Sequence, residues 1–182
     1  ENRYLFGFEE SYGYLAGTHA RDKDAVVTSM LICEMAGWYA KQGKDLYEAM
    51  DELYREFGFY LNGVVNVTFP GAAGADKMAS IMAGLREQQP ATIAGYDVEG
   101  YTDYASGVEM PIVYKDPEDP IQILPSANVL EFRLAGGHKV IVRPSGTEPK
   151  IKAYLFSVGE TREEAEAVQD KLAIDAKENL LA

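Results

Sequence analysis

A partial α/β layer, followed by a small α+β domain with an antiparallel sheet and covering helices, is the fold expected of this 182-residue chain. Helical periodicity fills residues 25–57, and strand-like runs parted by Gly and Pro fill residues 93–158. Between them Pro70-Gly71-Ala72-Ala73-Gly74 breaks the pattern with small, turn-forming residues, so the expected division is 1–69 and 70–182.

In chain order, Leu5 to Tyr14 alternates aromatic and polar residues around Gly7 and Gly13, the pattern of a strand end running into a loop that presents Glu9, Glu10 and Ser11. A carboxylate accepts hydrogen bonds from neighbouring sugar hydroxyls and a serine hydroxyl both donates and accepts; a solvated pair of glutamates is the plainer reading. His19-Ala20-Arg21-Asp22-Lys23-Asp24 is a mixed-charge run that equally fits a solvated helix start. From Ala25 to about Lys41, Val27, Met30, Leu31, Met35 and Trp38 share a helical face, read as core, with Gly43 as the stop. Asp45 and Glu48 are spaced as a capping box for a second helix whose inner face is Leu46, Ala49, Met50, Leu53 and Phe57. Tyr60 to Phe69 reads as a strand completing this α/β layer.

Beyond the break, Asp76 is the expected cap of a short helix carrying Met78, Ile81, Met82 and Leu85, which ends near Gln89 because Pro90 disfavours helix before it. Strands are expected at 93–101, 129–134, 139–142 and 151–158, with Gly136-Gly137 as a hairpin signal and 116–125 as a proline-rich loop. Thr161 and Glu164 open a final helix that turns Ala165, Val168, Leu172 and Ile174 or Ala176 inward.

The segment Arg143-Pro144-Ser145-Gly146-Thr147-Glu148-Pro149-Lys150 concentrates anion donors in a stiffened loop expected to project from the sheet edge. Arg143 offers a planar fork, Ser145 and Thr147 offer hydroxyls, and Gly146 lets the backbone N–H approach a ligand closely. An ordinary hairpin with a solvated arginine uses the same turn-forming residues.

Composition narrows the function. At 47% hydrophobic residues the chain has enough apolar material for a sizeable core. Its net charge of -12, from 17 basic and 29 acidic residues, opposes nonspecific binding to nucleic acid or anionic membrane, so any phosphate site must be a local cluster. The single Cys33 forms no internal disulfide, which fits a reducing compartment, and cytoplasm is the expected location. No apolar run reaches a membrane span, and the first residues lack the basic and apolar pattern expected of a signal peptide. A start without Met, close to the first candidate residues, reads as a cut within a longer protein.

The string Arg143 to Lys150 resembles the C-terminal phosphate-binding loop of the α-D-phosphohexomutases, the phosphoglucomutase and phosphomannomutase family, and Phe6-Gly7-Phe8-Glu9-Glu10-Ser11-Tyr12-Gly13 resembles that family's sugar-recognition loop. The resemblance implies a C-terminal fragment: the end of the third family domain followed by the fourth. It implies substrate binding by Glu9, Ser11, Arg143, Ser145, Gly146 and Thr147. His19 to Asp24 resembles the family's His-x-Arg-x-Lys-Asp segment, which implies an orienting role for His19 and, for Lys23, either electrostatic contact with a transferring phosphoryl group or proton transfer if desolvation lowers its pKa. Two departures are Phe8 and Ala25, where relatives often have Gly. The family's reaction uses a phosphoserine, Mg²⁺ and a sugar 1,6-bisphosphate; neither a phosphoserine loop nor an Asp-rich metal loop is found, so no metal ligands are expected here. The implied partners are a hexose phosphate and the missing N-terminal domains. A noncatalytic phosphosugar-binding module and a phosphopentomutase parent are the alternatives.

Overall fold

The computed structural model describes residues 4–9, 12–71, 73–110 and 126–182. The readings placed on Glu10, Ser11 and the loop 116–125 lie outside these residues. The chain divides into two compact units, Glu1–Glu56 and Phe57–Ala182.

The first unit opens with a hairpin in which β1 (Phe6–Phe8) pairs antiparallel with β2 (Tyr14–Ala16), Phe8 opposite Tyr14. The rings of Phe6, Phe8 and Tyr14 gather with centroids 6.0, 6.1 and 6.4 Å apart. Helix α1 (Ala25–Ala40) starts where the Asp24 carboxylate accepts the N–H groups of Val26 at 2.9 Å and Val27 at 3.1 Å, satisfying two of the donors that a helix start leaves unpaired. Helix α2 (Leu46–Phe57) carries the expected capping box: the Asp45 N–H donates to Glu48 Oε2 at 2.9 Å, and the Glu48 N–H to Asp45 Oδ1 at 2.8 Å.

The core assigned to these helices needs correction. α1 has no buried residue, and Met30, Leu31, Met35 and Trp38 are exposed. On α2 only Ala49 is buried, while Met50, Leu53 and Phe57 are exposed. Apolar periodicity marks a face that gains free energy on being covered, but among the described residues no layer covers it. On α1 Val26 and Ile32 are exposed as well, so its apolar residues circle the helix instead of forming one stripe.

In the second unit an antiparallel sheet takes the order β3-β9-β8-β7-β5-β4, with β6 (Val108–Met110) also on β5. Its strands are β3 (Phe59–Thr68), β4 (Thr92–Ile93), β5 (Tyr96–Asp103), β7 (Leu130–Leu134), β8 (Lys139–Pro144) and β9 (Lys150–Gly159). β3 pairs with β9 along its whole length, from Phe59 opposite Gly159 to Thr68 opposite Lys150. The strand expected to complete the first layer therefore belongs to the second sheet, and the units part before Phe57 and not at Pro70. Most of the run expected as one strand at 93–101 is β5, but a turn at Ala94 and Gly95, with φ of 53° and 83°, splits off Thr92–Ile93 as β4, which folds back on its start.

Strict alternation builds the core. Ile151, Ala153 and Leu155 on β9 and Val140 and Val142 on β8 are at most 1% exposed, and they form one cluster with Phe132, with Met82 and Leu85 of α3 (Gly74–Glu87) and with Leu172 of α4 (Arg162–Asp175). Each of these side chains larger than alanine contributes about 1.5–3 kcal/mol on burial. Two helix details differ from expectation. Asp76 lies in the first turn of α3, whose N-cap is Ala73 with no side-chain cap, and the Thr161–Glu164 box is formed only in part; of the two residues expected to turn inward at the end of α4, Ala176 is the buried one and Ile174 is exposed. At the α4 start the Glu164 N–H donates to Thr161 Oγ1 at 3.2 Å, but the Glu164 carboxylate accepts from the Glu160 N–H at 3.1 Å.

Candidate functional site

In the first unit the hairpin turn brings Glu9 and Lys23 together. The Glu9 N–H donates to the Gly13 carbonyl at 2.9 Å, and the Asp24 N–H to the Tyr14 carbonyl at 2.8 Å, which fixes the His19–Asp24 run beside β2. Gly13 is buried, and a Cβ there would lie 2.7 Å from both Glu9 Oε1 and Lys23 Cγ, so glycine is what lets the two side chains close over the backbone. Lys23 Nζ stands 3.0 Å from Asp22 Oδ1 and 3.7 Å from Glu9 Oε2. Asp22, then Glu9, raise the Lys23 pKa above the ordinary lysine value, and Lys23 in turn lowers that of Asp22. The condition set for proton transfer by Lys23, a pKa lowered by desolvation, is thus not met in this arrangement.

His19 Nε2 lies 2.9 Å from Asp24 Oδ2, so the imidazole braces the residue that caps α1; this contact is the first cause of the lowered Asp24 pKa, ahead of the Val27 N–H. Two shallow recesses adjoin here and share Tyr4, Leu15 and Arg21 as walls. Tyr4 and Arg21 were not singled out from the sequence; the only signal for Arg21 was its place in the His19–Asp24 run.

In the second unit the loop 145–149 joins β8 to β9, both interior strands, so it projects from the strand ends in the middle of the sheet and not from a lateral edge. The Ser145 N–H donates to the Lys150 carbonyl at 2.8 Å, and the Phe69 N–H to the Pro149 carbonyl at 2.8 Å, anchoring the loop at both sides. The Ser145 hydroxyl accepts the N–H groups of Thr147 at 3.4 Å and Glu148 at 3.2 Å, leaving its own proton to donate. Glu148 pairs with Lys150, which lowers the Glu148 pKa. Arg143 is exposed, opposite Lys152 in the strand register, and makes no ion pair with a described residue. A Cβ on Gly146 would meet nothing within 4 Å and its φ is not in the left-handed range, so packing does not require glycine there. The loop thus offers a guanidinium, hydroxyls and an unobstructed backbone. Among the described residues no three His, Cys, Asp or Glu side chains gather as metal ligands, and no helix is long and apolar enough to cross a membrane.

An α/β hairpin-and-helix unit followed by a curled antiparallel sheet with packed helices defines a mixed α/β protein of two modules. Residues 1–57 match the family model described as phosphoglucomutase/phosphomannomutase, alpha/beta/alpha domain III, and residues 65–174 match the one described as phosphoglucomutase/phosphomannomutase, C-terminal domain. A phosphoglucomutase of Staphylococcus haemolyticus is 39% identical over 153 residues, covering 84% of this chain and 27% of that protein. A probable phosphomannomutase of Haemophilus influenzae is 34% identical over 165 residues, covering 90% of this chain and 30% of that protein. The open-form crystal structure of parafusin from Paramecium, a phosphoglucomutase, superposes with a TM-score of 0.54 at 16% identity, over 92% of this chain and 30% of that one, a likeness of fold. The chain belongs to the phosphoglucomutase/phosphomannomutase family, and it spans less than a third of the length of these relatives.

Proposed function

We infer that the full-length protein is a phosphohexomutase and that this chain is its C-terminal part, supplying sugar and phosphate recognition without the reacting serine. The observation that carries the reading is the Arg143–Thr147 loop, anchored at the ends of two interior strands with its guanidinium unpaired among the described residues. In this reading the loop grips the phosphate that is not being transferred. Arg143 takes two phosphate oxygens through its fork while Ser145, Thr147 and the Gly146 N–H surround the rest. Glu9, held by Lys23 over Gly13, accepts sugar hydroxyls, and Ser11 joins it. Binding energy from the remote phosphate is then available to orient the reacting end.

The proposed reaction moves a phosphoryl group between a phosphoserine and a hexose phosphate through a sugar 1,6-bisphosphate, with Mg²⁺ supplying charge stabilisation in the full-length protein. No metal ligand set gathers among the described residues, and no step of this account passes through the metal. Cytoplasm is the proposed location.

The test is kcat/KM for glucose 1-phosphate in the full-length protein carrying Arg143→Lys and Arg143→Ala, beside thermal unfolding of each. An ammonium keeps the charge but loses the fork, so the lysine variant is expected to fall roughly tenfold and the alanine variant further, on the order of a hundredfold. Equal activity in all three folded proteins would remove the loop from the site.

A further inference from the structure

We propose that the outer edge of β3 joins two copies of the protein, β3 pairing antiparallel with the β3 of a second copy about a two-fold axis at Val64. The sheet order ends at β3, which pairs with β9 along one side over its whole length and with no described strand along the other. Backbone groups of an extended strand point alternately to its two sides, so about half of the N–H and C=O groups of β3 face away from the sheet. Such an edge is a template for another strand, and sheets blunt theirs with lysine, proline, bulges or brevity. The opposite end of this sheet follows that rule, β4 being two residues long. β3 does not: Phe59–Thr68 is ten residues long, carries no charge and no proline, and keeps one register against β9 throughout. On a chain of net charge -12, an uncharged edge of that length is where two copies meet with least repulsion.

The edge is complementary to its own copy. Val65 and Val67 stand opposite the buried Ala153 and Ile151, so Leu61, Gly63, Val65 and Val67 share the inner face, where Gln169 of α4 lies against Gly63. Tyr60, Asn62, Val64, Asn66 and Thr68 are exposed on the outer face. A pairing must set inner residues opposite inner ones, since a slip of one residue turns every side chain to the wrong face. With the axis at Val64, Asn62 stands opposite the partner's Asn66, Tyr60 opposite the partner's Thr68 and Val64 opposite the partner's Val64, while on the inner face Leu61 stands opposite the partner's Val67. Amide then meets amide and apolar meets apolar, the self-complementary match that a two-fold contact requires. Moving the axis to Gly63 would set Asn62 against the partner's Val64 and lose that match. The seam supplies on the order of ten main-chain hydrogen bonds, about as many direct ones as a typical protein interface carries in all.

The experiment is sedimentation of the full-length protein over a range of concentrations in about 0.3 M salt, where repulsion between acidic copies is screened, together with amide exchange along residues 59–68. Wild type is expected to form a dimer as its concentration rises, and the alternate β3 amides that do not bond to β9 are expected to exchange more slowly in step with it. Asn62→Asp combined with Asn66→Asp sets like charges opposite each other on both sides of the axis and is expected to weaken the dimer about tenfold or more. Asn62→Lys combined with Asn66→Asp sets each lysine opposite the partner's aspartate and is expected to return the dissociation constant to within about threefold of wild type. These variants differ only at position 62, which is exposed, and matching thermal unfolding excludes misfolding as the cause. The exchange of wild-type amides decides the matter without either variant. A monomer at every concentration would mean that the rest of the protein covers the edge and would overturn the proposal. So would a dimer indifferent to both double variants, or β3 exchange that does not change with concentration.

Discussion

Gly13 sets the position of the Glu9 carboxylate, because the two side chains that meet over it would each be 2.7 Å from an added methyl group. Both are flexible, so Gly13→Ala is expected to fold while displacing Glu9 and Lys23. In the full-length protein kcat/KM should then fall about tenfold or more, approaching the loss from Glu9→Ala, with little change in Tm. Full activity in folded Gly13→Ala would detach Glu9 from the site. His138 gives a second test at this scale. It is buried, its Nδ1 accepts the Val158 N–H at 3.1 Å, and its ring meets Tyr96 edge-on with centroids 4.7 Å apart. Burial lowers its pKa, so below the unfolded value of about 6.5 the unfolded chain takes up a proton that the folded chain resists. Stability is therefore full above that pH and declines as pH falls toward the folded pKa. Urea unfolding of wild type and His138→Gln from pH 7.5 to 5 is expected to show this slope only in wild type; parallel curves would refute it.

Elements whose causes are local were the legible ones. The Asp45–Glu48 box, the Gly136-Gly137 turn with φ of 80° and 78°, and the hairpin presenting residues 143–150 all depend on neighbours a few residues away. Asp45→Ala should cost about 1 kcal/mol of α2 stability, read as faster amide exchange confined to the first turns of that helix; unchanged exchange would mean the box contributes nothing. The placement of β3 was not legible, because its partner β9 lies near the other end of the chain and strand composition does not name a partner. Nor was the exposure of Met30, Met35 and Trp38, since periodicity describes a face and not its cover. Among the candidate site residues, Glu9 and Arg143 were named through motifs, whereas the two recesses that share Arg21 as a wall could not be read from the sequence. Local chemistry also could not show that Asp22 and Glu9 both surround the Lys23 ammonium.

For the molecule as a whole, a net charge of -12 makes general attraction of a phosphorylated ligand unfavourable, so the proposed recognition rests on separate cationic points such as Arg143. The chain's coverage of under a third of its relatives fits a division of labour in which recognition lies here and the reacting groups lie elsewhere. Asp103 joins two elements of the second unit. Burial pushes its carboxyl pKa up, but Arg86 on α3, Ser106 and the Ala105 N–H outweigh burial and hold it below the ordinary value, tying helix to sheet end. The most direct test of the central claim is turnover of glucose 1-phosphate, with Mg²⁺ and glucose 1,6-bisphosphate present, by the full-length protein and by the 182-residue chain alone. Turnover by the full-length protein and none above a blank by the repurified chain is the expected result; turnover by the chain alone, or none by the folded full-length protein, would contradict it.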